Sequence, residues 1–375
     1  MPRLRLSRFD LTVLVIAGAL LLTVAVSAVL LRPQEMPLRV VYMADGARGI
    51  PDLWAVVPGQ PDSATQLTFT EGGVFDYAPS PDGRRIAFAE RDIASNRITL
   101  KLLDLSSGRV SLLSDCAATN ADCHTPAWRP DGSAIAYMRT QYDPVLGAGN
   151  SKIWMIEGLK TGQLEEFRMF DDQTIGSQPV WSRDGRRLAF YENVGRGVLI
   201  YDFNPPDESK RFMFVPADNG MTGALSPDGE TLITSVMAAA GEFGFRSQLI
   251  VADLIDNGVR DLFPDGQSND GQSAAWHPDG QRAALLRQYA AGGASTQGQQ
   301  VYLYNVAAEA LEPLIVDNAY NHGAISFSPD GGYLLVQRFS YEALQPQIWV
   351  YEMATGALTQ IAANAYIGAW LPGTE

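Results

Sequence analysis

The sequence predicts an all-β chain: a seven-bladed β-propeller of four-stranded antiparallel blades, closed by its C-terminal strand and preceded by one N-terminal transmembrane helix. Three observations predict it. An Asp-Gly turn recurs six times, with its aspartates at Asp82, Asp131, Asp184, Asp228, Asp279 and Asp330, spaced 49, 53, 44, 51 and 51 residues apart. Short apolar runs rich in Ile, Val, Leu, Tyr and Trp follow each turn, too short and too β-branched for buried helices. Finally, Leu11 to Leu31 is a 21-residue run without a charge. A repeat of about 50 residues built from short strands is the signature of propeller blades.

Residues 1–10 read as a cytoplasmic tail, 11–31 as a signal anchor, 32–38 as a linker and 39–375 as the propeller. The apolar run is long enough to span a bilayer core, which needs about 20 such residues. Arg3, Arg5 and Arg8 precede it, so the positive-inside rule puts the N-terminus in the cytoplasm and the ring outside, periplasmic or extracellular. The rival reading is a cleaved signal peptide with Val26-Ser27-Ala28 as the cleavage site, but such apolar regions usually run about 7–15 residues. Either way the ring is exported, and the short linker keeps it near the membrane surface.

Within the ring the copies read Ala-Pro-Ser-Pro-Asp-Gly (78–83), Ala-Trp-Arg-Pro-Asp-Gly (127–132), Val-Trp-Ser-Arg-Asp-Gly (180–185), Ala-Leu-Ser-Pro-Asp-Gly (224–229), Ala-Trp-His-Pro-Asp-Gly (275–280) and Ser-Phe-Ser-Pro-Asp-Gly (326–331). Proline presets φ for the first turn position, aspartate bonds the backbone just beyond it, and glycine accepts positive φ. A second turn, Ser107-Gly108, Thr161-Gly162 or Thr355-Gly356, separates a third strand such as Ile348–Tyr351 from a fourth such as Val110–Leu113. Before the first copy, 39–43, 53–57 and Gln66–Phe69 read as second, third and fourth strands lacking a first. The chain's end, Trp370-Leu371-Pro372, aligns with Trp276 to Pro278 and supplies it. The count is then seven, and closure removes the exposed sheet edges.

These turns resemble those of the TolB-like propellers, a group of WD-like repeats with a Trp/Phe-Ser-Pro-Asp-Gly signature. The resemblance covers residues 39–373, and this sequence departs from it at Pro79, Leu225 and Arg183. In that family the fold occurs in free periplasmic proteins, beside hydrolases, and in envelope binding modules; with the apolar run 11–31 it reads here as a membrane-anchored member. Because one fold hosts many functions, it names none.

Charge and motifs narrow the rest. Beyond residue 32 the chain carries a net charge of about −17 by count, which argues against nucleic acid or an anionic lipid surface as partner. The only cysteines, Cys116 and Cys123, stand in one blade-connecting stretch, and outside the cytoplasm read as a disulfide. No Gly-x-Ser-x-Gly elbow, phosphate loop, His-Glu-x-x-His or dinucleotide fingerprint is present. The acids at Asp171-Asp172 and Asp265 to Asp270 fit turns better than calcium loops. Trp128, Trp181, Trp276 and Trp370 share one repeat position and read as packing between blades. No catalytic residue, cofactor or metal ligand is expected.

In a four-stranded blade the two tight turns lie on one face and the longer connections on the other. Function concentrates in loops on rigid scaffolds, so the long-loop face is the expected binding face. Its candidates are Tyr77, Tyr142, Asp143, Phe243, Tyr289, Tyr320, His322, Tyr341 and Glu342, with Phe75, Asp76, Phe245 and Asn321 beside them. Tyrosines and phenylalanines beside acids suit a protein, peptide or glycan ligand. The expected function is a non-catalytic, extracytoplasmic binding scaffold anchored to the cytoplasmic membrane, not an enzyme. The alternative is a polysaccharide lyase or glycosidase using His322 and Glu342.

Overall fold

The computed structural model describes residues 36–143, 145–240, 244–262, 273–288, 290–291 and 294–374. They form seven four-stranded antiparallel sheets arranged as blades around a central axis. Blade one joins the two ends of the chain: Arg39–Asp45, Pro51–Val57 and Gln60–Gln66 with Ala365–Leu371 as inner strand. Blade two is Val74–Pro79, Arg85–Asp92, Arg97–Asp104 and Val110–Ser114; blade three is Ala121–Trp128, Ile135–Asp143, Gly147–Glu157 and Glu165–Arg168. Blade four is Gly176–Trp181, Arg187–Glu192, Gly197–Asp202 and Phe212–Pro216; blade five is Ala224–Leu225, Thr231–Ala240, Gly244–Asp253 and Val259–Asp261. Blade six is Ala274–Trp276, Arg282–Arg287, Gln300–Asn305 and Ala310–Ile315, with a small hairpin of Ala290–Ala291 and Ala294–Ser295. Blade seven is Tyr320–Phe327, Tyr333–Ser340, Pro346–Glu352 and Leu358–Ala363.

The ring closes as the two chain ends predict. Val40 pairs with Trp370 and Val41 with Ala369, and beyond the strand ends the Met36 N–H donates to the Thr374 hydroxyl and the Thr374 N–H to the Met36 carbonyl, both at 3.0 Å. The core is seven apolar clusters, one at each blade boundary, because a sheet buries both faces only against its two neighbours. Leu53, Val74, Ile86 and Phe88 fill one boundary and Ile153, Met155, Leu188 and Phe190 another. Burying each such side chain contributes about 1.5–3 kcal/mol.

Two expectations change. The outer strand of blade one is Gln60–Gln66, not residues 66–69. The cause is the buried carboxylate of Asp52, which accepts bonds from the Thr68 hydroxyl (2.8 Å), the Thr70 amide (2.9 Å) and the Thr70 hydroxyl (2.9 Å) and takes that stretch out of the ladder. The longer connections expected on the other face are in part hairpin extensions: at 140–151 Gly147 pairs with Asp143, and at 237–246 Gly244 pairs with Ala240. The apolar run 11–31 lies outside the described residues, among which no helix is long and apolar enough to cross a membrane.

Candidate functional site at the channel mouth

The six signature turns repeat one piece of chemistry. In every copy the aspartate accepts the backbone N–H two residues on, from 2.8 Å at Asp279 to 3.1 Å at Asp82. Four copies add a bond from the preceding serine hydroxyl at 2.5 Å, as in Ser226 to Asp228. That serine in turn accepts the N–H that starts the next strand, as from Arg85 at 2.9 Å. The turn glycines hold φ between 67° and 76°, the left-handed region that costs a side chain least when there is none.

The tryptophans repeat a second piece. Each indole N–H donates to a carbonyl on the inner strand of the preceding blade: Trp128 to Ala78 (3.0 Å), Trp181 to Ala127 (3.1 Å), Trp276 to Ala224 (3.0 Å) and Trp370 to Ser326 (3.0 Å). Four of the seven boundaries are stapled this way. The others hold Pro79, Leu225 and Phe327, which have no side-chain donor. There Tyr77 bonds the Val41 carbonyl (2.8 Å) and that of Ile367, Arg187 bonds Gly229, and the ring nitrogen of His277 stands 3.2 Å from the Gly331 carbonyl.

The sum of these repeats is a cavity on the axis. The proline position of every turn points to it: Pro81, Pro130, Pro227, Pro278, Pro329 and Pro372, with Arg183 as the seventh. The space is about 480 Å³, walled also by Trp181, Trp276, Leu225 and Phe327, and an adjoining space of about 370 Å³ adds Trp128 and Trp370. The packing role expected of the tryptophans holds, and they also line this mouth. Arg183 crosses the axis. From blade four it donates to the Pro329 carbonyl of blade seven at 3.1 Å and stands 3.5 Å from that of Pro278 in blade six. It is exposed, and no carboxylate pairs with it among the described residues. The cavity therefore lies on the short-turn face, opposite the face where the sequence reading looks for function.

The residues proposed for the long-loop face do not form one surface. Tyr77 is buried in the boundary of blades one and two, its hydroxyl spent on the carbonyls just named. His322 is 1% exposed, its Nδ1 2.8 Å from the Gln299 carbonyl, and burial lowers its pKa to about 4. It belongs to a buried group in which Arg338 is ion-paired to Asp317 and lies 3.7 Å from the Tyr320 ring centre and 4.6 Å from that of Trp349. Tyr142 lies under Arg97 at 3.6 Å. Asp143 turns a hairpin, accepting from Val145 and Leu146 (2.8 and 2.9 Å), bonds that lower its pKa. Tyr341 donates to Gln297 (3.1 Å), and Glu342 stands exposed. Phe243 and Tyr289 lie outside the described residues. His322 and Glu342 thus share a blade without sharing a site, because one points into a boundary and the other into solvent.

Cys116 and Cys123 form the expected disulfide, buried at the boundary of blades two and three. Asp171 holds a turn through Gln173 and Thr174, while 265–270 fall outside the described residues. Among the described residues no group of three or more His, Cys, Asp or Glu could hold a metal ion. What the sequence reading missed is the cavity, although its one unusual residue, Arg183, is visible as a break in the repeat.

The TolB beta propeller domain profile matches residues 64–280. The chain is 28% identical over 213 residues to the uncharacterized peptidase YuxL of Bacillus subtilis (strain 168), covering 56% of this chain and 28% of that protein. It is 21% identical over 331 residues to dipeptidyl-peptidase 5 of Porphyromonas gingivalis, covering 83% of this chain and 45% of that one. It therefore spans less than half the length of these relatives. TolB from Acinetobacter baumannii has the same fold, with a TM-score of 0.53 at 16% identity, over 99% of this chain and 74% of that one. The expectations of a non-catalytic scaffold and of a chain that is not an enzyme are corrected by these matches: two of the curated proteins it resembles are named peptidases.

Proposed function

The chain belongs to the TolB β-propeller family, and from that premise we propose that it is the propeller of a peptidase, a ring that selects peptides for a catalytic unit. The observation that carries this reading is the kinship of most of the ring with dipeptidyl-peptidase 5 and of more than half of it with a second peptidase. A channel mouth rimmed by proline and tryptophan supports it, since a concave, mostly apolar pocket suits the side chains of an extended peptide. The opposite face carries exposed apolar side chains on several hairpins and connections, Phe69, Phe75, Val145, Leu146, Phe245 and Leu344, which a covering unit would bury. We propose that the catalytic unit covers this face.

The proposal includes an address. The apolar run 11–31 anchors the ring outside the cytoplasmic membrane, and the Cys116–Cys123 disulfide supports an oxidising compartment. The chain enters the ring at Met36, bonded to Thr374 two residues past Pro372.

The test is hydrolysis by the full chain, with whatever catalytic unit copurifies from its own cells, on fluorogenic peptides of rising length and on folded protein. Cleavage of short peptides with folded protein spared is expected. Inactivity on every peptide, or equal cleavage of folded protein, contradicts the reading.

A further inference from the structure

We propose that Arg183 makes the channel mouth a binding subsite for a peptide carboxylate. Six of the seven turn positions on the axis are proline and contribute no charge. At the seventh, Arg183 brings the sole charged side chain among the residues lining the 480 Å³ space. The guanidinium bonds only neutral carbonyls, those of Pro329 at 3.1 Å and Pro278 at 3.5 Å. A carboxylate accepts a shorter, charge-assisted and bidentate pair of bonds from the same group. Being exposed, Arg183 exchanges its partners without opening the fold. The walls around it, Trp181, Trp276, Phe327 and the prolines, suit the apolar body of a peptide and not a small hydrated anion. The seven-fold ring supplies shape, and its one departure supplies charge.

The ligand class rests on the peptide-handling reading, and binding is measured apart from hydrolysis so that the two can fail separately. Trp181 and Trp276 line the space, so their fluorescence reports occupancy. The probes are an N-acetyl tripeptide acid ending in phenylalanine, its C-terminal amide, and an amide whose last residue is glutamate. The proteins are the full chain, Arg183→Pro and Arg183→Gln. The proline variant restores the residue found at the other six positions, so its turn is expected to fold; an unchanged melting temperature checks this.

The acid is expected to bind about tenfold or more tightly than the phenylalanine amide, with both variants losing the difference. The glutamate amide distinguishes the source: binding like the acid means any carboxylate serves, and binding like the phenylalanine amide means that the chain terminus is required. The proposal is overturned if acid and both amides bind equally, if the wild-type chain binds none of them, or if either variant keeps the preference. Hydrolysis without Arg183-dependent binding removes this inference and leaves the peptidase reading; the reverse result does the opposite.

Discussion

The turn face and the long-loop face are built by the same seven blades, yet one is nearly symmetric and the other is not. On the turn face the blades deliver nearly the same residues to the same place: an Asp-capped turn in six of them, an aromatic or apolar side chain at the boundary, and a proline at the axis in every blade but the fourth, where Arg183 stands. Repetition there adds up to a cavity that no single blade contains. On the long-loop face the hairpins differ in length and composition, and some of their conspicuous side chains turn back into blade boundaries. Tyr77 and His322 are the clearest cases. Variability alone therefore does not mark a site. In a repeat protein the more informative signal is a departure from the repeat at a position that faces the axis, and Arg183 is that departure.

This contrast can be broken at points of graded strength. The ring's closure depends on a turn-face residue, so Trp370→Ala removes both the packing of a 9%-exposed side chain and its bond to Ser326. We expect a loss of about 3–5 kcal/mol in urea unfolding; a loss under about 1 kcal/mol would mean that the closing blade does not limit stability. Next is the buried group behind the loop face. Because burial lowers the folded-state pKa of His322 to about 4 from 6.5, the unfolded chain takes up that proton first. Its contribution is complete above about pH 6.5 and is lost as the pH falls toward 4, about 3 kcal/mol in all. Unfolding of wild type and His322→Asn at pH 7 and pH 4.5 checks this. The variant should show the smaller pH-dependent loss, and equal slopes would show that the histidine is not buried neutral.

The disulfide comes third. Replacing Cys116 and Cys123 by alanine opens a short loop, and a loop of that size is worth about 2.5 kcal/mol in the chain-entropy account. Peptide binding at the turn face should be untouched. The smallest effect is one repeated turn: Asp228→Ala leaves the Glu230 N–H and Ser226 hydroxyl without their acceptor, costing about 1–2 kcal/mol. A much larger loss would mean that the turns act cooperatively.

Much of the fold is legible in the sequence because its signals are local. Pro-Asp-Gly fixes its own turn, the spacing fixes the number of blades, and Trp370-Leu371-Pro372 shows that the last strand belongs to the first blade. The outer strand of blade one is misplaced because Asp52 reaches forward sixteen and eighteen residues to capture Thr68 and Thr70, which no local pattern reveals. The site is less legible for the same reason. The Tyr77 hydroxyl is bonded across 36 residues to Val41, and Arg183 across 146 residues to Pro329. A break in the motif is readable one blade at a time; what it faces depends on all seven.

The central claim is that peptide recognition lies at the turn-face mouth and not on the loops. Titrating the tripeptide acid against Arg183→Pro and against the paired loop-face change Glu342→Gln with Leu344→Ser, both exposed in blade seven, tests it most directly. The account predicts that the mouth variant loses binding about tenfold or more while the loop variant binds as wild type does. Binding lost in the loop variant and kept in Arg183→Pro would contradict it.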